Sequence, residues 1–413
     1  MSITRRTFLK GGAMAVIGTA AVPSFLTRAA FGAVSLSSSN KRLVVIFQRG
    51  AADGLNIVIP HAEPAYYQMR PSIAIPRNRV VDLNGFFGLH PSLSGLKPLW
   101  DQGHLAIVHA AGSPDTTRSH FDAQDYMESG TPGVKSTSDG WLNRVLQSEQ
   151  QTKESPFSAV ALGPSLPRIL SGKAQAVAVN NVNAFGIAGG NPASAPLGNT
   201  FEAMYNQSVD TVLHGTAQET FEAVKMLKSA DPRRYTSAPG ANYPNGRFAD
   251  ALRQTAQLIK SNVGVQIAFT DIGGWDHHVN EGAAEGQLAN VLREFGQSIA
   301  AFWIDLGPLA EDTVIVTMSE FGRTARENGN RGTDHGHANV MFVLGGPVRG
   351  GRVYGRWPGL DPSQLNEGRD LVLTTDFRRV LGEAVQRHLG NSNLNTVFPG
   401  YDNSPAAFLR YLE

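Results

Sequence analysis

The chain contains no cysteine among its 413 residues. That absence excludes a disulfide framework, a thiol nucleophile and a cysteine-ligated zinc site. Any metal must then be held by His, carboxylate, Asn or hydroxyl groups, which suit zinc, manganese, calcium or magnesium according to the mix. Net charge is nearly absent as well: 36 Lys+Arg against 35 Asp+Glu leaves +1 at pH 7. No global field therefore favours nucleic acid or an anionic membrane, and no nucleic-acid partner is expected. Long apolar runs are missing too. The run at 11–26 is rich in Gly and Ala, too short and too weakly hydrophobic for a good transmembrane helix, so no stable membrane insertion is expected. What is present is an ordinary hydrophobic fraction, 41%, enough for a sizeable core, and a length that one large α/β domain can fill.

Residues 1–33 read as a targeting segment outside the fold. Thr4-Arg5-Arg6-Thr7-Phe8-Leu9-Lys10 resembles a twin-arginine export motif, and small residues follow the apolar run at Ala29, Ala30, Gly32 and Ala33. Export by the twin-arginine machinery carries folded proteins, which suits a metalloprotein bound for the periplasm or the cell exterior. Residues 34–413 then read as one domain, with a candidate cap or insertion at about 150–245 where little chemistry is visible.

The chain is organised around 264–338, which holds two clusters of metal-type ligands. The first runs Asp271-Ile-Gly-Gly-Trp-Asp276-His277-His278; the second opens at Ser319-Glu320-Phe321-Gly322-Arg323 and continues to Asp334-His335-Gly336-His337. Each follows an apolar, β-branched run that reads as a buried strand. The segment 281–307 between them has helical apolar spacing. The unit is strand, helix, strand, and in such units ligands bind at the carboxyl ends of the strands.

Elsewhere, Arg42–Gln48 reads as a central strand ending in Arg49-Gly-Ala-Ala-Asp53-Gly, so Asp53 is a ligand candidate or an Asp-Gly turn. The stretch 61–79 reads as irregular, 92–102 as helix and 104–110 as strand. Thr116-Thr117-Arg118-Ser119-His120 precedes a helix at about 121–129. A hydroxyl and a cation at a helix start would favour an alkoxide or bind an oxyanion, while Ser119 or Thr117 would equally serve as N-cap. Further helices are expected at 141–151, 202–229 and 247–261, strands at 157–162, 174–179 and 340–344, and a loop at 180–199. Thr374 or Thr375 is expected to cap a helix reaching 388, and 404–412 to form a short helix. Adjacent His277 and His278 cannot both face one way in regular structure, and His278 is favoured as ligand. His335 and His337, two apart, can both point inward from an extended loop. Asp276 either binds metal or orients a His.

Several motifs resemble the domain-of-unknown-function 1501 family. They are Arg49-Gly-Ala-Ala-Asp53-Gly-Leu-Asn, Leu89-His-Pro-Ser-Leu, Arg118-Ser-His-Phe-Asp-Ala-Gln-Asp, Gly273-Gly-Trp-Asp-His-His, Ser319-Glu-Phe-Gly-Arg-Thr and Gly332-Thr-Asp-His-Gly-His-Ala-Asn. The resemblance implies an exported protein of the alkaline phosphatase-like superfamily, beside the sulfatases. Its fold would be α/β: a doubly wound, mostly parallel sheet with helices on both faces and metal at the strand ends. It implies Asp53 as the ligand after the first strand and Ser119 as nucleophile, with Thr116 and Thr117 as rivals. Asp271, Asp276 and His277 or His278 resemble an Asp-then-His pair. Glu320 stands where a later Asp-His pair begins, but its neighbour is Phe321 rather than His; His335, His337 or His120 would fill that gap, or the second metal site is altered or lost.

The expected function is therefore hydrolysis of phosphate or sulfate esters, on a small molecule or a polymer, with one or two divalent ions (zinc, manganese or calcium). Ser119 and Arg118 are the catalytic candidates. The metal candidates are Asp53, Asp271, Asp276, His278, Glu320, His335 and His337, with His120, His277 and Asp334 as additions. The alternative is an exported, non-catalytic binding protein with at most one structural metal.

Overall fold

Seven consecutive buried residues, Arg42–Gln48, form β1 at the middle of the main sheet. An apolar run this complete has both faces covered, as a central parallel strand must. The structure, a computed structural model, describes residues 40–148, 155–184, 226 and 234–412. Its other strands are β2 (Val58–Ile59), β3 (Val81–Asp82), β4 (Gly88–Leu89), β5 (Leu105–Gly112), β6 (Ala159–Leu162), β7 (Val177–Val179), β8 (Ile267–Ile272), β9 (Thr313–Ser319), β10 (Asn339–Gly345), β11 (Arg352–Tyr354) and β12 (Thr375–Asp376). The principal helices are α1 (His120–Ser129), α2 (Trp141–Ser148), α3 (Arg247–Lys260), α4 (Gln287–Leu306) and α5 (Phe377–Glu383). The main sheet runs β11-β5-β10-β9-β1-β8-β6-β7, with β12 on β5, and β2, β4 and β3 make a small separate sheet.

Side chains of β1 alternate between two cores. Val44 and Ile46 pack with α3 and α4 through Phe248, Leu252, Leu292, Phe295 and Phe302. Leu43, Val45 and Phe47 pack with α2 and α5 through Trp141, Leu142, Phe377 and Val380. Helices thus cover both faces, and the sheet is doubly wound as expected. In α4 the residues Leu288, Leu292, Phe295, Ile299, Phe302 and Leu306 are all buried. Their steps of three and four residues make one apolar stripe, each side chain contributing roughly 1.5–3 kcal/mol by leaving water.

Strands β8 and β9 flank β1 and both run parallel to it, so the β8-α4-β9 unit crosses over β1. Every pairing in the main sheet is parallel except the two made by β10, which is antiparallel to β9 and to β5. This reversal was not readable from 340–344, because an apolar run looks the same in either direction. It has a consequence for the site. The start of β10, not its end, lies at the edge where β1, β5, β8 and β9 finish, so 320–338 travels along that edge.

Other expectations need correction. The stretch 61–79 contains a short helix, Pro64–Met69, with Pro at its first position. The helix expected from 281 begins at Gln287, because Gly282 (φ 89°) and Gly286 (φ 124°) hold a turn that residues with a Cβ rarely adopt. Asp376, not Thr374 or Thr375, caps α5, its carboxylate accepting from Arg378 N. At 404–412 there is only one 3-10 turn, Pro405–Ala407. The targeting segment at 1–33, the expected helix at 202–229 save Met226, and most of the loop at 180–199 lie outside the described residues. Among the described residues no helix is long and apolar enough to cross a membrane.

Candidate metal centre

At the common edge of β1, β5, β8 and β9 three imidazoles and one carboxylate converge. His120 opens α1 after β5, Asp276 and His278 follow β8, and His335 lies on the path from β9 to β10. His335 Nε2 is 3.1 Å from His120 Nε2 and 3.0 Å from His278 Nε2. Asp276 Oδ1 is 3.0 Å from His278 Nε2 and 3.4 Å from His335 Nε2, and its Oδ2 is 3.5 Å from His120 Nε2. Among the described residues, His120, Asp276 and His335 are the group whose ligand atoms sit close enough together to hold a metal.

The far nitrogen of each ring is already committed. His335 Nδ1 lies 2.8 Å from the carbonyl of Arg118, which can only accept, so Nδ1 carries the proton. His120 Nδ1 donates to Glu320 Oε1 at 2.8 Å, and His278 Nδ1 faces Asp334 Oδ1 at 3.2 Å. Neutral rings so oriented aim their Nε2 lone pairs at one another, and two acceptors about 3 Å apart need a proton or a cation between them. A tetrahedron with Zn–N bonds of about 2.0–2.1 Å has edges of about 3.3 Å. The three separations within His120, Asp276 and His335, 3.1, 3.4 and 3.5 Å, scatter around that value, so these three residues fit a metal ion, with His278 beside them on His335 and Asp276 and with N–H groups handed back to carboxylate and carbonyl as metal-bound histidines require.

The surroundings hold these four in place. Glu320, 1% exposed, accepts from His120, Gly50 N and Gln124 Nε2, each at 2.8 Å. Burial works against its charge, but the hydrogen bonds from His120 and Gln124 keep its pKa below the usual value. The Glu320 hydrogen bond in turn raises the pKa of His120. Burial, with Arg323 nearby, lowers that of His335. Asp276 is opposed by burial yet held low by the hydrogen bond and charge of Arg323. Arg323, itself buried, also donates to the carbonyls of Gly50, Ala51, Trp275 and Thr333. Gly50, at φ 116°, lets this turn approach: a Cβ there would lie 3.0 Å from Asp276 N. Phe321 fills the place where the resemblance led one to look for His. Its buried ring lies 5.0 Å from the rings of both His120 and His335, an apolar wall behind two of the imidazoles.

The remaining candidates lie around this cluster rather than in it. Asp53 is clamped by Arg70, which donates to both of its oxygens, Nη2 to Oδ1 at 2.9 Å. Asp271 receives Arg49 Nε at 2.6 Å and Arg247 Nη2 at 2.9 Å. His337 Nε2 donates to the carbonyl of Ser113 at 2.9 Å. His277 is buried and its Nδ1 has no hydrogen-bond partner among the described residues. Asp334 and Glu320 stand behind His278 and His120. Ser119 is the N-cap of α1 by position, but its side chain makes no cap hydrogen bond. Arg118 faces Glu367 at 2.9 Å. Arg70, which neutralises Asp53, carried no signal in the sequence, since a buried arginine looks like any exposed one until its carboxylate is known; Arg323 stood in a quoted motif, but its pairing with Asp276 was not readable there.

The model of the family described as "Protein of unknown function (DUF1501)" matches residues 103–397. The chain belongs to the DUF1501 family. That match takes in all four residues of the cluster and leaves out Asp53. No curated protein matches the chain. Among solved structures, the lipoteichoic acid synthase LtaP from Listeria monocytogenes is similar at 9% identity and a TM-score of 0.33, over 75% of this chain and 66% of that one. The C-terminal periplasmic domain of EcEptC from Escherichia coli, in complex with Zn, matches at 9% and 0.35, over 74% and 72%. The PsFucS1 sulfatase from Pseudoalteromonas sp. matches at 14% and 0.39, over 94% and 76%. Likeness this remote says nothing of this DUF1501 member's chemistry.

Proposed function

We propose that this DUF1501 protein is an exported, metal-dependent hydrolase of phosphate or sulfate esters, of the alkaline phosphatase-like superfamily. The observation that carries the reading is the convergence of His120, His278 and His335 Nε2 with Asp276, each ring backed by an acceptor on its far side. Three imidazoles and one carboxylate favour zinc or another transition ion over calcium, which prefers oxygen ligands. A divalent ion bound there supplies Lewis acidity, polarising an ester oxygen and making a water nucleophilic near neutral pH.

The chain's own groups do the rest. Glu320 and Asp334 fix the tautomers of His120 and His278, and Arg323 keeps Asp276 ionised. Hydrolysis adds water across the ester: the bond from phosphorus or sulfur to the leaving oxygen breaks and an alcohol departs with a proton. Ser119, whose hydroxyl is not spent on capping, is the side-chain alternative to water as nucleophile. Arg118 is the cation for the ester's anionic oxygens. The twin-arginine signal and the periplasmic or extracellular location belong to the same proposal, and a cap within about 150–245 would exclude 159–179, whose strands β6 and β7 extend the main sheet.

The test is turnover of a panel of phosphate and sulfate esters by the zinc- or manganese-loaded protein. Turnover that stops on chelation and returns with metal supports the reading. A metal-loaded protein inert to the whole panel overturns it in favour of an exported binding protein.

A further inference from the structure

One turn presents two carboxylates to Arg118. Its Nη2 lies 2.9 Å from Glu367 Oε2 and 3.5 Å from Asp370 Oδ1. The partners differ in kind. The side chain of Asp370 is fully buried, and neither oxygen has a hydrogen bond among the described residues. The Glu367 side chain is 65% exposed. Within the turn, Asn366 N donates to Asp370 O at 2.8 Å and Arg369 N to Asn366 O at 3.0 Å. Glu367 itself sits at φ 53°, a left-handed conformation uncommon for a residue with a Cβ. The turn therefore fixes where the Glu367 carboxylate is offered.

This turn is joined to the metal centre. Arg369 Nη2 donates to His335 O at 2.9 Å, while the Arg118 carbonyl accepts from His335 Nδ1 at 2.8 Å. Arg118 and the Glu367 turn thus both grip His335. The Arg118 guanidinium also has donor capacity in reserve, since its Nε is buried with no hydrogen-bond partner among the described residues.

We propose that Glu367 is an internal occupant of Arg118, displaced when the phosphate- or sulfate-type group of a substrate binds. The proposal rests on the metal-hydrolase reading and deepens it, because it names a residue that sets affinity for the anion. An exposed carboxylate–guanidinium pair is weak, screened by water and salt. A tetrahedral oxyanion can engage the guanidinium fork through two oxygens and so outcompete it. Asp370, being buried, stays behind and keeps the guanidinium located after Glu367 leaves.

The experiment is a calorimetric titration of inorganic phosphate into the zinc-loaded full chain, as wild type, Glu367→Gln, Arg118→Gln and the double variant. Relief of an exposed ion pair is expected to tighten phosphate binding by Glu367→Gln about 1.5- to 5-fold, with the gain shrinking at high salt. Arg118→Gln should weaken binding, and the double variant should bind no better than Arg118→Gln alone. Unchanged or weaker binding by Glu367→Gln overturns the proposal and leaves the hydrolase reading standing. A gain that survives in the Arg118→Gln background also overturns it, since the effect would then not pass through Arg118. No phosphate binding by zinc-loaded wild type and Glu367→Gln alike overturns the anion site and the proposal together.

Discussion

Replacing Asp53 by Asn should destabilise the protein without removing its metal. Asp53 is 1% exposed and Arg70 is fully buried. Arg70 donates to both Asp53 oxygens, to Asn56 Oδ1 at 2.8 Å, and to the carbonyls of Thr324 and Ala325 at 2.9 Å each. Burial opposes the Asp53 charge, but the Arg70 charge and hydrogen bonds hold its pKa below the usual carboxylate range. Glu281 lies beside it, also buried. Burial, with the neighbouring Asp53 charge, pushes its pKa well up, which favours the protonated form. Its Oε2 accepts from Thr333 Oγ1 at 2.9 Å. Removing one partner of a buried pair costs about 3–5 kcal/mol. Asn keeps one acceptor oxygen, so Asp53→Asn belongs near the lower end, about 3 kcal/mol. Glu281→Gln replaces a neutral donor–acceptor by another and should cost about 1 kcal/mol or less. With a urea m of about 3 kcal/mol/M, the Asp53→Asn midpoint should fall by about 1 M and that of Glu281→Gln should scarcely move. Metal content should be unchanged in both. An Asp53→Asn variant of normal stability that has lost its metal would refute the pairing and return Asp53 to the ligand set. Equal losses in the two variants would refute the protonation of Glu281.

Stability should also fall in mild acid, through three buried histidines. His90, His109 and His388 are pushed down to about 4, burial being the main cause in each. In His90 and His109 one ring nitrogen donates to a carbonyl and the other accepts a backbone N–H, so neither has room for a second proton. The unfolded chain, with His near 6.5, binds more protons between pH 6.5 and 4, so this contribution is complete above pH 6.5 and is lost as pH drops toward 4. At pH 5 the loss is about 2 kcal/mol per histidine, measurable as a falling urea midpoint; a midpoint flat from pH 7 to 5 would contradict it. Glu320→Gln should weaken zinc binding about 10–100-fold by loosening the orientation of His120, read by competition with a chelating dye. Undiminished zinc affinity in that variant would count against Glu320 as the group that positions His120.

The sequence was most informative where burial leaves no alternative. The bounds of β1 and β9 follow from uninterrupted apolar runs, and the β8-α4-β9 unit from a change of hydrophobic period between two strands. The region of the site was legible for the same reason, since polar residues cluster where those runs end. What each carboxylate faces was not legible. Asp53 and Asp276 have the same local character, yet one meets Arg70, 17 residues away, and the other converges on histidines. His120 counted only as an addition, because Ser119-His120 at a helix start reads locally as capping. Its role depends on Glu320, 200 residues on. The antiparallel course of β10 brings His335 to the others, and direction leaves no mark in an apolar run.

The central claim is that His120, Asp276 and His335, with His278 packed against them, form one metal site. Elemental analysis of the purified protein beside a His278→Ala/His335→Ala variant tests it most directly. Those two histidines are partly exposed, so their loss spares the fold, whereas removing Asp276 would strand the buried Arg323. About one equivalent of a transition metal in the wild type, lost in a variant that keeps its circular dichroism spectrum, is the predicted result. No metal in either protein after zinc loading, or metal retained in full by the variant, would contradict the account.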